Sequence, residues 1–280
     1  MQLFYHPGSK ELARKRILPM LLPMLHEAQE YREPFVGAGA IGLAVMDRHP
    51  QLPCWLNDAD PAIASLWQAT RDKPAELMER IWDFDNPSVD AFDLFGRHIK
   101  ARVDLPETAA EIVELGFHQL AWSMMRSKGW GQGPRGGWDQ RYPIIGERWS
   151  RRHVSKKVAA ISQRLNTRNK ITITRADFEP LIQDTSRHAA LFLDPPYFGE
   201  KNLYHYEFND HDHERLADLL RQTPHDWLMT YEDHPAAWEL YEGWATIKPL
   251  YESRREHFDP ASGVAKKVDT LAICNRRCAI

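Results

Sequence analysis

The 280 residues carry 36 Lys and Arg against 39 Asp and Glu, a formal net charge of -3, and 43% of them are apolar. Such a chain is long enough to bury a full core as one large domain or two modest ones, and it is neither disordered nor collagen-like. Its longest apolar runs, such as 17 to 25 with two prolines inside, fall far short of the roughly 20 residues a bilayer span needs. The N-terminal stretch lacks a basic segment followed by an apolar one, and three cysteines at unrelated spacings (Cys54, Cys274, Cys278) suit buried free thiols in a reducing cytoplasm better than a disulfide frame. Taken as a total, a slightly acidic charge also argues against a nucleic-acid partner.

In chain order, an apolar helix over Leu12 to Ala28 leads to a short strand ending near Phe35. A helix from Ala40 to Asp47, a strand over Pro53 to Asn57 and a helix opening at Asp60 and Pro61 follow, which is a βαβ rhythm. From Pro74 to Met125 the pattern is helical throughout, with a long amphipathic helix opening at Pro106 and Glu107. The rhythm resumes at Lys170 with alternating Ile171 and Ile173, and continues with the apolar run from Ala189 to Asp194. A helix (Asp212 to Leu220), a strand (Trp227 to Tyr231), a helix (Pro235 to Glu242) and two strands suited to an antiparallel hairpin (Ala245 to Leu250, Lys267 to Cys274) close the chain. The simplest architecture is a mainly parallel sheet interrupted by a helical, basic insertion over 61–165.

Charge is distributed unevenly. Between Arg126 and Lys170 twelve basic residues face only Asp139 and Glu147, so this segment carries +10 and leaves -13 for the rest. It is glycine-rich and interleaved with Trp130, Trp138, Tyr142 and Trp149. Cations of this kind bind phosphate backbones, and aromatic planes stack on exposed bases; the alternative is a charged face that meets only solvent.

Three constellations carry chemistry. In Glu33-Pro34-Phe35-Val36-Gly37-Ala38-Gly39-Ala40, where strand gives way to helix, two glycines allow close backbone approach to a ligand, although many tight turns need glycine for steric reasons alone. Asp58, about 20 residues on, can accept both ribose hydroxyls of an adenosine; otherwise it is a helix cap, a role Asp60 fills well before Pro61. Most informative is Leu191-Phe192-Leu193-Asp194-Pro195-Pro196-Tyr197. A buried strand delivers Asp194 to the sheet's carboxyl edge, and the prolines that follow have carbonyls but no N–H. A carboxylate, a backbone acceptor and the aromatic face of Tyr197 make an acceptor corner suited to a flat aromatic amine. Asp210-His211-Asp212-His213-Glu214 invites a metal reading, but its histidines share no helical face at i, i+4, and a helix start capped by Asp210 accounts for it better.

Asp194-Pro195-Pro196-Tyr197, with Phe35-x-Gly37-x-Gly39 upstream, resembles the Dam-like class of S-adenosylmethionine-dependent methyltransferases that make N6-methyladenine in DNA. The likeness covers nearly the whole chain: His6-Pro7-Gly8-Ser9-Lys10, Asn57-Asp58-Ala59-Asp60-Pro61 and Asp177-Phe178 resemble further elements of that class, as do Tyr206 to Leu219 and Tyr231 to Trp244. The resemblance implies an α/β fold, a Rossmann-like seven-stranded methyltransferase sheet built from 1–60 and 166–280, with a basic target-recognition domain inserted at 61–165. Carried over residue by residue, it implies that Tyr5, Lys10, Phe35, Gly37, Gly39, Asp58, Asp177 and Phe178 hold S-adenosylmethionine. Asp194, Pro195 and Tyr197 would be catalytic, receiving an adenine flipped from duplex DNA. Arg126, Lys128, Arg135, Arg141, Arg151 and Arg152 are the candidate DNA contacts.

The stretch from Arg126 to Trp138 departs from the class, whose Asn- and Phe-containing segment is missing, and with few Asn or Gln groups to read bases a short or relaxed target specificity is expected. The expected enzyme is a cytoplasmic, bacterial or phage-encoded adenine-N6 DNA methyltransferase, monomeric, without metal or membrane attachment. A cytosine-N4 methyltransferase and a catalytically silent DNA-binding relative stay open, as does the role in restriction, phage self-protection or regulation.

Overall fold

The computed structural model describes residues 2–5, 10–11, 13–101, 108–127, 133–167, 170–198, 208–259 and 264–275. Its elements run α1 (Arg14–Glu27), β1 (Glu30–Glu33), α2 (Ala40–Arg48), β2 (Cys54–Asn57), α3 (Pro61–Asp72), α4 (Pro74–Asp83), α5 (Val89–Ala101), α6 (Ala109–Met125) and α7 (Arg151–Asn166). Then come β3 (Ile171–Thr174), α8 (Glu179–Gln183), β4 (Ala189–Leu193), α9 (Asp210–Gln222), β5 (Asp226–Glu232), α10 (Pro235–Tyr241), β6 (Thr246–Asp259) and β7 (Val264–Cys274). Among the described residues no helix is long and apolar enough to cross a membrane.

The seven strands form one sheet in the order β3-β2-β1-β4-β5-β7-β6. The first five strands follow the Rossmann order, and β7 lies antiparallel between β5 and β6, so the fold is α/β and Rossmann-like. β4 is parallel to both β1 and β5, in the registers Arg32↔Leu191 and Leu193↔Met229. Every residue of β4 and β5 is buried, as a strand covered on both faces requires. Because β1 and β4 are neighbours running the same way, the residues that follow them, Pro34–Phe35 and Asp194–Tyr197, leave the sheet at one edge. The reversal of strand order between β1 and β4 is where open α/β sheets place their ligands.

The helix starts show why local sequence suffices for most of these elements. Asp60 accepts hydrogen bonds from the N–H groups of Ala62 and Ile63, with Pro61 in the first turn of α3. Thr108 and Glu111 form a reciprocal capping box at α6. At α9 the same box is formed by Asn209 and Asp212, so Asn209 is the cap and Asp210 already lies within the helix, which corrects the expected assignment. His213, in the next turn, is buried and shares a 2.6 Å hydrogen bond with the Tyr231 hydroxyl. The hairpin strands are longer than expected, and α7, capped by Ser150, is a helix where only a basic segment was read. Cys54 is a buried free thiol, whereas Cys274 is disulfide-bonded, contrary to the expectation of free thiols.

Two compact units divide the chain. One comprises Met1–Glu11, Val36–Gln51 and Leu56–Ala176. Its helices pack around an aromatic cluster in which Phe84 meets Phe95, Phe117 and Trp149 at ring separations of 5.2 to 5.7 Å. The other comprises Leu12–Phe35, Leu52–Trp55 and Asp177–Ile280, with a core built on Leu191, Leu193, Leu216, Trp227, Met229, Tyr231 and Tyr241.

Candidate active site

The glycine turn is built by three groups of its own unit. Gly39 has φ +69, and a Cβ there would overlap the Trp67 ring, so the position excludes any side chain on two grounds. Trp67 Nε1 donates to the Gly37 carbonyl at 2.8 Å, and the Gly37 N–H donates to Asp58 Oδ2 at 2.9 Å. The other carboxylate oxygen, Oδ1, accepts from the Asp60 N–H at 3.0 Å. Asp60 is therefore the helix cap and Asp58 a brace of the glycine turn, partly exposed beside it. Burial, and secondarily the charge of Asp60, push the Asp58 carboxyl up to about 7 despite these two N–H bonds. In the same unit Tyr5 lies with the Arg148 guanidinium 4.4 Å from its ring, and Lys10 is buried. His6 to Ser9 fall outside the described residues.

The second unit holds two further groups. Phe178 packs against Phe35 and Phe208, each with rings 5.6 Å apart, and Phe35 meets Phe208 edge-on at 5.8 Å. Arg215 spans Asp177 with two bonds, to Oδ1 at 2.9 Å and Oδ2 at 2.8 Å, and its guanidinium lies 4.3 Å from the Phe178 ring. It also reaches Glu179 at 3.0 Å and Asp212 at 3.1 Å. Burial acts to raise the Asp177 carboxyl, but the Arg215 bonds and the Glu179 N–H outweigh it and hold the group below its ordinary value.

Asp194 stands where β4 ends, beside the buried Pro195. Its Oδ1 accepts from the Thr230 hydroxyl of β5 at 2.7 Å and from the Tyr197 hydroxyl at 3.3 Å. The Tyr197 ring is 5.9 Å from that of Tyr231, and the residue is only 9% exposed. The corner thus presents a carboxylate already oriented by two hydroxyls, next to prolines that donate nothing.

Of the basic candidates, Arg141 and Arg152 are exposed. Arg126 is 5% exposed, its guanidinium 4.8 Å from the Trp122 ring, so it is an internal group rather than a surface cation. Arg135 is bound to Glu147 at 2.7 Å, and Arg151 to the Trp82 carbonyl at 2.9 Å. Lys128 lies outside the described residues. Over 133–149, where Pro134 is bridged to Arg126, the chain forms a knuckle of turns that carries Trp138 (59% exposed) and Tyr142 (65% exposed). Gly136, at φ +84, sits where a Cβ would overlap the Tyr142 carbonyl.

Sequence reasoning missed Thr230, Arg215, Phe208 and Trp67. Only Trp67 had a signal, a large aromatic two turns into the helix after Asp58; the others depend on partners far away in the chain.

A model of the family described as D12 class N6 adenine-specific DNA methyltransferase matches residues 6–255. The Type II methyltransferase M1.LlaDCHI of Lactococcus lactis subsp. cremoris is 25% identical over 248 residues, covering 82% of this chain and 81% of its own length. A solved structure of the Escherichia coli protein yhhF, a methyltransferase by its working name, aligns over 97% of this chain and 90% of its own with a TM-score of 0.37 and 12% identity, too slight a similarity to bear on function. The family match takes in the glycine turn, Asp58, the knuckle and the Asp194 corner, and this chain belongs to the D12 class N6 adenine-specific DNA methyltransferases.

Proposed function

We propose how the adenine-N6 methylation of DNA that belongs to this family is carried out here. The methyl donor is S-adenosylmethionine, which when bound supplies a sulfonium-activated methyl group. The residues of each unit suit it: in one, the partly exposed Asp58 would accept the ribose hydroxyls; in the other, Phe35 and Phe178 would offer an aromatic wall to the adenine and Asp177 a carboxylate to hold it. Gly37 and Gly39 would let backbone approach it, and Lys10 and Tyr5 would hold the methionine end.

Asp194 and the Pro195 carbonyl accept the two N–H groups of the target amine. Conjugation with the ring makes that nitrogen a poor nucleophile, and holding both hydrogens favours a pyramidal nitrogen with its lone pair directed along the line of attack. The Asp194 carboxylate stabilises the positive charge that develops on nitrogen. Because the methyl group is already activated, none of these steps calls for a metal. The adenine is flipped out of the duplex at a cost of a few kcal/mol, which stacking on Tyr197 offsets in part.

One observation carries this reading: a carboxylate at the end of a buried strand, held by two hydroxyls and followed by two residues without N–H groups. Labelled methyl transfer to duplex DNA by Asp194→Ala tests it. Transfer is lost while S-adenosylmethionine still binds; wild-type transfer would overturn it.

The target sequence is short or relaxed. In support, the amide nitrogen of Gln140, a candidate base reader on the knuckle, is spent on the carbonyls of Arg135 at 2.7 Å and Gly137 at 2.6 Å. Sequencing methylated DNA tests this, and one long, fully modified motif with all else untouched would refute it. The enzyme acts as a monomer in a bacterial or phage-infected cytoplasm.

A further inference from the structure

Asp194 does not orient itself. Its carboxylate sits on two freely turning single bonds, and the residues after it are prolines, which offer no N–H to hold it. The parallel register of β4 and β5 pairs Leu193 with Met229, which brings Thr230 level with Asp194 on the neighbouring strand. Thr230 is fully buried, and its hydroxyl lies 2.7 Å from Asp194 Oδ1 and 3.5 Å from the Leu193 carbonyl. One O–H has one proton to give, and the shorter contact to the charged acceptor takes it.

Threonine is also the residue type for such a task. Branching at Cβ restricts its side-chain torsion, so the hydroxyl is aimed by the strand rather than by chance. Tyr197 brings its own hydroxyl to the same oxygen at 3.3 Å, so both hydroxyls converge on Oδ1. Two donors on one oxygen define the plane of the carboxylate and the direction in which Oδ2 points.

We infer that Thr230 is a positioning residue for methyl transfer: it holds the Asp194 carboxylate in the orientation that receives the target amine. The inference rests on the reading of Asp194 as the amine acceptor. Preorganisation of this kind acts on the reacting geometry more than on ground-state binding, so its removal shows in kcat and not in KM.

The test compares Thr230→Val, which keeps the branched shape and removes the hydroxyl, with Thr230→Ser, which keeps the hydroxyl, and with Asp194→Ala, all on duplex DNA with labelled S-adenosylmethionine. Thr230→Val lowers kcat about 10- to 100-fold, the range for loss of a hydrogen bond to a charged group, and leaves KM for DNA and for S-adenosylmethionine within about twofold. Thr230→Ser recovers most of kcat. Wild-type kcat in Thr230→Val alongside an inactive Asp194→Ala overturns the role of Thr230 alone. An active Asp194→Ala overturns the acceptor reading, and the role of Thr230 falls with it. Should Thr230→Val not fold, Thr230→Ala takes its place: a fall in kcat with both KM values held supports the role, and wild-type kcat overturns it.

Discussion

Trp67 donates its indole N–H to the carbonyl of Gly37, and its ring occupies the space that a side chain on Gly39 would need. The glycine turn is thus cast against a tryptophan from α3, and its shape depends on that contact as well as on glycine's freedom at positive φ.

Gly39→Ala combines a strained backbone with a collision that the rigid ring cannot evade. The expected outcome is a folded protein whose affinity for S-adenosylmethionine falls at least tenfold, read by isothermal titration. Trp67→Phe keeps an aromatic ring but removes the N–H and the far edge of the indole that lies on Gly39, and lowers the affinity more than the few-fold that about 1 kcal/mol for one neutral hydrogen bond accounts for.

If Asp58 holds the ribose as proposed, cofactor binding depends on pH. Ribose hydroxyls that donate to it favour its ionised form, so binding expels a proton from a carboxyl that titrates near 7 in the free protein. Affinity for S-adenosylmethionine therefore rises with pH up to about 7, by at most about tenfold per pH unit, and levels off above. In the free protein the sign is reversed. Because its folded value lies above the ordinary 3.8, protonated Asp58 stabilises the fold, fully so below that value, and the contribution is lost as pH rises through about 7. Asp58→Asn flattens both profiles, and an unchanged binding profile in that variant would remove Asp58 from the ribose.

Arg215→Met keeps apolar contact with Phe178 but releases Asp177 from its two-pronged clamp. Affinity for S-adenosylmethionine falls about tenfold, and Arg215→Lys does not restore it, since an ammonium cannot bridge both carboxylate oxygens. Binding at wild-type strength in Arg215→Met would separate Asp177 from the cofactor.

DNA binding weakens steeply with salt. Arg141→Ala and Arg152→Ala, the exposed pair, each lower the slope of log affinity against log salt by about one, whereas Arg126→Ala, a buried group, acts through stability instead. Trp138→Ala weakens binding about tenfold without altering that slope, because stacking releases no counterions. A slope shared by wild type and both exposed-arginine variants would show that the basic segment does not meet phosphates.

Much of the fold was legible because its signals are local. An apolar run before Asp-Pro-Pro-Tyr, glycines at the end of a strand and Asp60 before Pro61 each act within a few residues of one another. The placement of the α9 cap failed by one residue because Asn209, Asp210 and Asp212 offer similar side chains. Which of them caps is settled by the backbone angle at which the helix begins. The basic segment shows the same limit in another form. Composition establishes a local charge of +10, yet only packing decides that Arg126 lies on Trp122 while Arg141 faces solvent.

The sequence alone determined the α/β order of elements, the glycine turn, the Asp194 corner and the concentration of positive charge, since each follows from residues adjacent in the chain. Tertiary structure decided what holds those groups. Thr230 reaches Asp194 across 36 residues, Arg215 reaches Asp177 across 38, and Trp67 meets Gly37 across 30. Contacts over such separations depend on strand register and helix packing, which no local pattern encodes.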